Sequence, residues 1–324
     1  MNNMKKISLL LMSILLIGLL AACGQPSGSA TQATQPSGTA DSSDTNTTGG
    51  GTENLVHDPN AKIASMSIHI TNNLLALGIK PAGSVVGGDV KDFLPHVADQ
   101  LQGVEKLGVV TDPDMEAVLG LQPDVIYIDK VYSEKDLDKF QKIAPTIVVD
   151  MDNGTWRDHL KQVAKHVGLE EKAEQYIADY DAKAERVSQL IHGKLGEDAK
   201  VMTIRMTAKE LRVMGTKRPL GPIMFDDLKL KMADGVENIS ADEPYQVISK
   251  EVLPDFNADA IFVIISKGNE AKAKFEELEQ NAVWQNLKAV KDKHVYILDG
   301  QKWLDYSSLG QSMALDDAEQ LFSK

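Results

Sequence analysis

From residue 55 onward the chain alternates short apolar runs with stretches whose apolar residues recur at steps of three and four. The runs at 62–66, 80–86, 103–110, 125–128 and 145–150 predict strands, and a short helix is expected over 74–77, stopped by Gly78. Strand and helix in alternation imply a mostly parallel sheet, so residues 55–165 are expected to form one α/β lobe. The longest helical signal follows: Leu169, Ala173, Tyr176, Ile177, Tyr180, Ala184, Val187, Leu190 and Ile191 form one stripe, with no proline or glycine before His192. Such a stripe predicts an amphipathic linking helix over 166–194, about seven turns long at 3.6 residues each. A second lobe is expected over 195–324, with strands at 200–205, 211–214, 260–265 and 293–298. Helices are expected in it around 275–287 and 309–322.

The two lobes carry one phrase twice, 135 positions apart. Glu116 opens a short amphipathic helix, Asp124 closes the following turn, and an apolar run without alternation begins at Val125. Glu251, Asp259 and the run from Ala260 repeat this order. An unalternated run reads as a buried parallel strand. Each lobe therefore offers a carboxylate at an equivalent place, which suits a partner with matching symmetry. The competing account, that both are first-turn glutamates favoured by the helix dipole, explains either one alone but not the duplication.

The first 54 residues change the cellular setting rather than the fold. Lys5 and Lys6 precede an apolar run over 7–20, interrupted by Ser8, Ser13 and Gly18 and followed by Leu20-Ala21-Ala22-Cys23. This predicts a secretory signal over 1–22, its apolar core short of the roughly 20 residues that a span needs. Residues 23–54 are mainly Gly, Ser, Thr, Gln, Asn, Asp and Pro, which cannot bury enough surface to offset chain entropy. They predict a tether reaching on the order of 30 Å. Cys23 is the single cysteine, so no disulfide framework is available to the fold. The formal charge of −13 argues against a nucleic-acid partner.

Leu20-Ala21-Ala22-Cys23 resembles a bacterial lipobox, which implies cleavage before Cys23 and a lipid on its thiol. The phrase 74–83, the Glu116–Asp124 and Ile248–Asp259 segments and the long helix resemble the helical-backbone class of ABC-importer substrate-binding proteins. The similarity is to the ferric-siderophore and cobalamin binders in particular, with the ferric-siderophore family favoured. It implies two Rossmann-like lobes joined by one backbone helix, a ligand held between them, and a monomer lipid-anchored outside the cytoplasmic membrane. It further implies that Glu116 and Glu251 pair with arginines of two permease subunits, with a separate ATPase as the energy source. Asn257-Ala258 stands where Asn-Pro is usual.

Open α/β sheets bind at the carboxyl ends of their strands, which nominates His69, Thr71, Lys130 and Tyr132 in the first lobe. In the second, Arg205 resembles the cleft arginine of siderophore binders, Trp303 and Tyr306 fall where the family places an aromatic against the ligand, and Arg212 and Arg218 lie nearby. A buried core tryptophan and surface arginines are the competing accounts. The ligand implied is a ferric siderophore, hydroxamate or citrate type, its iron held by the chelator with no direct metal ligand and no cofactor. Cobalamin, haem and Zn or Mn remain alternatives, as does a surface lipoprotein outside transport. The seven histidines include no His-rich loop. No Gly-x-Gly-x-x-Gly after a strand, P-loop, Gly-x-Ser-x-Gly or His-Glu-x-x-His occurs, so no enzyme is expected. The acid pairs Asp226-Asp227 and Asp316-Asp317 read as solvated helix faces.

Overall fold

The computed structural model describes residues 55–323 apart from residue 89. The predicted signal, Cys23 and the tether lie outside the described residues. The first lobe contains β1 (Ile63–Ser65), α1 (Ile68–Ala76), β2 (Gly83–Val86), β3 (Glu105–Val109), β4 (Asp112–Pro113), α2 (Met115–Leu121), β5 (Val125–Asp129), α3 (Lys130–Gln141), β6 (Thr146–Val149) and α4 (Trp156–Val167). Its strands run in the order β4-β3-β2-β1-β5-β6, all parallel except the short β4. The chain leaves β1 toward β2 and β3 and later returns on the other side as β5. That reversal puts the topological switch between β1 and β5, where ligands of open α/β sheets lodge.

The linking helix α5 (Glu170–Leu195) buries Ala173, Ile177, Tyr180, Ala184, Val187 and Ile191, six positions of the predicted stripe. Gly168 separates it from α4, closing that helix in the left-handed region at φ 64°, where glycine is unstrained. Thr155 and Asp158 form a reciprocal capping box at the start of α4.

The second lobe contains β7 (Lys200–Met206), β8 (Leu211–Met214), β9 (Lys231–Met232), β10 (Tyr245–Ile248), β11 (Ala260–Ile265), α6 (Asn269–Glu279), α7 (Ala282–Asn286), α8 (Lys288–Lys291), β12 (Val295–Ile297), α9 (Gly300–Trp303) and α10 (Ser308–Phe322). Its main path is β10-β8-β7-β11-β12; β7, β11 and β12 run parallel, and β8 pairs antiparallel with both β7 and β10. This sheet is mixed because the turn at 207–210 folds β8 straight back on β7. The single helix expected around 275–287 is two, broken where Asn281 accepts a hydrogen bond from Val283 N (2.8 Å) and caps α7.

The duplicated phrase is a duplicated joint. Asp124 accepts from Lys62 N (2.7 Å) and Asp259 from Lys200 N (2.8 Å), so each aspartate pins the residue entering its lobe's central strand. Gln122 (φ 50°) and Asn257 (φ 46°) make the same left-handed exit from the preceding helical turn. One continuous apolar core runs from Ile63 and Tyr127 through α4 and α5 to Phe262 and Trp303, and α10 packs on both α1 and α5. A core shared in this way resists large lobe separation.

Candidate functional site

α1 begins at Ile68, six residues before the predicted start, so His69 and Thr71 lie on a helix rather than in a loop. Ser67 leads straight out of β1 into its first turn. Thr71 consequently faces inward, 1% exposed, its hydroxyl 2.7 Å from that of Ser84. It is a core residue without surface for a ligand, which corrects its nomination. His69 sits at the first-lobe switch point, its ring tilted by 33° against that of Tyr306 at 3.6 Å between centroids.

Tyr306 joins three elements. The Arg218 guanidinium lies over its ring at 4.6 Å, and Arg218 bonds across the lobes to the Met151 carbonyl and the Asp152 carboxylate. Burial pushes the Tyr306 hydroxyl up to about 12, opposed by Arg218. Burial also raises the Asp129 carboxyl at the end of β5, against the pull of His69 and Arg218. Arg218 is thus an interlobe clasp with its carboxylate already in place. Tyr132 is exposed on α3, and Lys130 is ion-paired with Asp150 at 2.9 Å. The structure therefore brings His69, Tyr306, Arg218 and Asp129 together at the seam.

A second group stands on the second-lobe sheet. Arg205 and Arg212 are register partners on β7 and β8. Arg212 is neutralised by Glu210, with Nε to Oε1 at 2.7 Å, and lies over the Tyr245 ring at 3.9 Å. Arg205 is half-buried, and its Nε donates to the Ser266 hydroxyl (2.9 Å) at the end of β11. Among the described residues no carboxylate lies within ion-pair distance of Arg205. Burial and the neighbouring Arg212 lower its guanidinium from the usual arginine range. A charge held this way favours an anionic visitor.

A model of the periplasmic binding protein family matches residues 63–302. The chain belongs to the periplasmic binding protein family. It is 31% identical over 330 residues to the probable siderophore-binding lipoprotein YfiY of Bacillus subtilis (strain 168), covering 99% of each chain. It is 31% identical over 300 residues to the iron(3+)-hydroxamate-binding protein FhuD of the same strain, covering 91% of this chain and 90% of that one. Among solved structures it resembles the iron-uptake system-binding protein FeuA of B. subtilis, with a TM-score of 0.70 and 27% identity, covering 83% and 96% of the two chains. It also resembles Staphylococcus aureus SirA complexed with staphyloferrin B, with a TM-score of 0.69 and 26% identity, covering 82% and 94%. Family membership makes this a transport binding protein rather than an enzyme.

In this binding protein Trp303 is a core residue. It is 1% exposed, and its Nε1 donates to Asp317 Oδ2 (2.8 Å). That corrects its nomination as a ligand contact, because the turn of α9 directs the indole under α10 instead of outward. Asp227 and Asp317 are likewise not solvated helix faces: Asp227 accepts from the Tyr180 hydroxyl (2.8 Å) and from Arg157 (3.0 Å). Glu116 and Glu251 are both exposed, the first on α2 behind the cap of Asp114 and the second in a 3-10 turn over Lys250–Phe256. One turn on, each is followed by an exposed apolar side chain, Leu119 (61%) and Pro254. Sequence reasoning missed Tyr245, Ser266, Asp129, Asp152 and Asp305. Each acquires its role from a partner distant in the chain, and only the position of Ser266 just after a predicted strand signalled it.

Proposed function

We propose that this protein captures a ferric siderophore between its lobes outside the cytoplasmic membrane, anchored through lipid on Cys23, and delivers it to an ABC permease. Relatives whose names specify siderophores, iron-hydroxamate and Fe(3+)-citrate support the ligand class. The observation that carries the reading furthest is Arg205, half-buried and bonded to a hydroxyl rather than a carboxylate. A carboxylate-bearing chelate of the citrate type supplies the missing negative charge; a neutral hydroxamate supplies only oxygen dipoles. Among the described residues no three or more of His, Cys, Asp and Glu gather as a set that could hold a bare metal ion.

Calorimetric titration with ferric citrate, a ferric hydroxamate, a ferric catecholate, cobalamin, haem and Zn²⁺ tests this. Saturable binding of ferric citrate is expected, weakened about 10- to 100-fold by Arg205→Ala through loss of a charged hydrogen bond of ~1.5–3 kcal/mol. Binding of cobalamin, haem or Zn²⁺ alone would replace the ligand, and binding of none would sink the reading.

For delivery, the duplicated carboxylates fit paired arginines on two related permease subunits, since a guanidinium fork grips a carboxylate with two parallel bonds. Its own backbone N–H and the Ser249 hydroxyl hold the Glu251 carboxyl below the usual range, which keeps it charged. Exposed pairs are worth about 0–1 kcal/mol each. Glu116→Ala or Glu251→Ala alone should therefore slow uptake of radio-iron modestly, and the double variant by roughly tenfold, with chelate binding unchanged. Cys23→Ser, which would free the protein from the membrane, is the control. Undiminished uptake by the double variant would favour a surface lipoprotein outside transport.

A further inference from the structure

Asp152 lies in the loop between β6 and α4, and its carboxylate accepts from Arg218 of the second lobe, 66 residues away. Other residues fix the backbone of that loop. Asp150 Oδ1 accepts from the Asp152 and Asn153 N–H groups (3.1 Å each), and His159 Nε2 donates to the Asn153 carbonyl (2.8 Å). The Asn153 amide and Lys130 hold the Asp150 carboxyl well below the usual carboxylate range, so this anchor stays charged. The Asp152 side chain itself is 55% exposed. Its backbone is pinned, whereas its carboxylate needs only a side-chain rotation to meet water.

Arg218 is held from more sides. Its Nη1 donates to the Met151 carbonyl, its guanidinium lies over the Tyr306 ring at 4.6 Å, and its side chain is 25% exposed. A turn of Asp152 into water leaves both of those contacts in place and uncovers the Nη2 edge of the fork, already aimed at a carboxylate. Exposed ion pairs are weak, so one carboxylate replaces another on the fork at little cost. A neutral hydroxamate offers only oxygen dipoles, which leave the pair as it is. Selectivity of this kind comes from an internal rival as much as from attraction. Arg212 carries a similar rival in Glu210, but within its own hairpin; the Asp152–Arg218 pair crosses the seam between the lobes.

We propose that Asp152 is a specificity-determining residue, an internal carboxylate that occupies Arg218 until a carboxylate of the chelate takes its place. Ferric chelates with a free carboxylate then gain the Arg218 fork, and neutral ones do not. The exchange rests on the reading of the cleft as a site for a carboxylate-bearing ferric chelate; the cover over Arg218 does not.

Two measurements test this with Asp152→Ala, a surface change that the fold should tolerate. In the ligand-free protein, phenylglyoxal modification of Arg218, followed by peptide mass spectrometry, should run severalfold faster in the variant than in the wild type. An unchanged rate would overturn the cover. In calorimetry the variant should bind ferric citrate about threefold to fivefold more tightly, the scale of an exposed ion pair, and a neutral ferric hydroxamate no differently. The gain should vanish in the Arg218→Gln background, where no guanidinium remains to compete for. A gain that persists there would report only the loss of a nearby negative charge and overturn the exchange. Unchanged or weaker ferric citrate binding, or an equal gain for the hydroxamate, would overturn it too. Faster modification of Arg218 in a protein that binds no ferric citrate would instead sink the carboxylate-chelate reading, and the exchange with it, while leaving the cover.

Discussion

Trp303→Ala is expected to lower the stability of the protein by about 3–5 kcal/mol, the range for deleting a fully buried large aromatic. The indole sits in the core that runs from the first sheet to the second and is covered by α10. Its removal leaves a cavity in a close-packed region and takes from Asp317 the N–H donor at 2.8 Å. Urea unfolding should show a lower midpoint with an unchanged slope, since the surface exposed on unfolding hardly differs. Conditions that keep the variant folded should leave its chelate affinity close to that of the wild type. A stable variant with lost affinity would return Trp303 to the ligand.

Asp227→Ala should cost about 1–3 kcal/mol, because it leaves the buried Tyr180 hydroxyl without its acceptor. Asp227 lies in the helical turn after the Arg218 loop, where it receives the Tyr180 hydroxyl from α5 and the Arg157 guanidinium from α4. Burial pushes its carboxyl up against the pull of Arg157, and burial pushes the Tyr180 hydroxyl far above its ordinary range. Without the carboxylate, Tyr180 would hold a buried donor with no acceptor. Arg157 would keep Asp181 and its place over the Trp156 ring at 4.4 Å. Asp227→Asn, which retains an acceptor, should recover part of the loss in the same unfolding measurement. Equal stability of wild type and Asp227→Ala would show that the acid is solvated.

These two residues mark where local pattern stopped being informative. The stripe of α5, the parallel strands and the doubled Glu-to-Asp phrase were readable because each depends on spacing within a few turns. Asp227 beside Asp226 looks like a polar surface until α4 and α5 bring Arg157 and Tyr180 to it, and no spacing rule reports that meeting. The sequence makes α1 look too short because His69, Thr71, Asn72 and Asn73 give its first turns the character of a polar loop. The structure buries three of them, with Asn72 bonded to Asp305 and Asn73 to Ser308. Of the candidate site, strand ends and resemblance point to Arg205, His69, Tyr306 and Arg218. Their grouping into a seam and a separate arginine pair came from tertiary contacts.

The bonds from Asn73 to Ser308 link residues 235 apart in the chain. They imply an order of assembly. A chain delivered from its N-terminus exposes the α1 face first, with its asparagines and apolar side chains uncovered until Ser308, 235 residues later, arrives. Long-range closures of this kind are slow and leave surface open to aggregation. The early lobe must therefore wait, incompletely covered, for the closing helix to seal it.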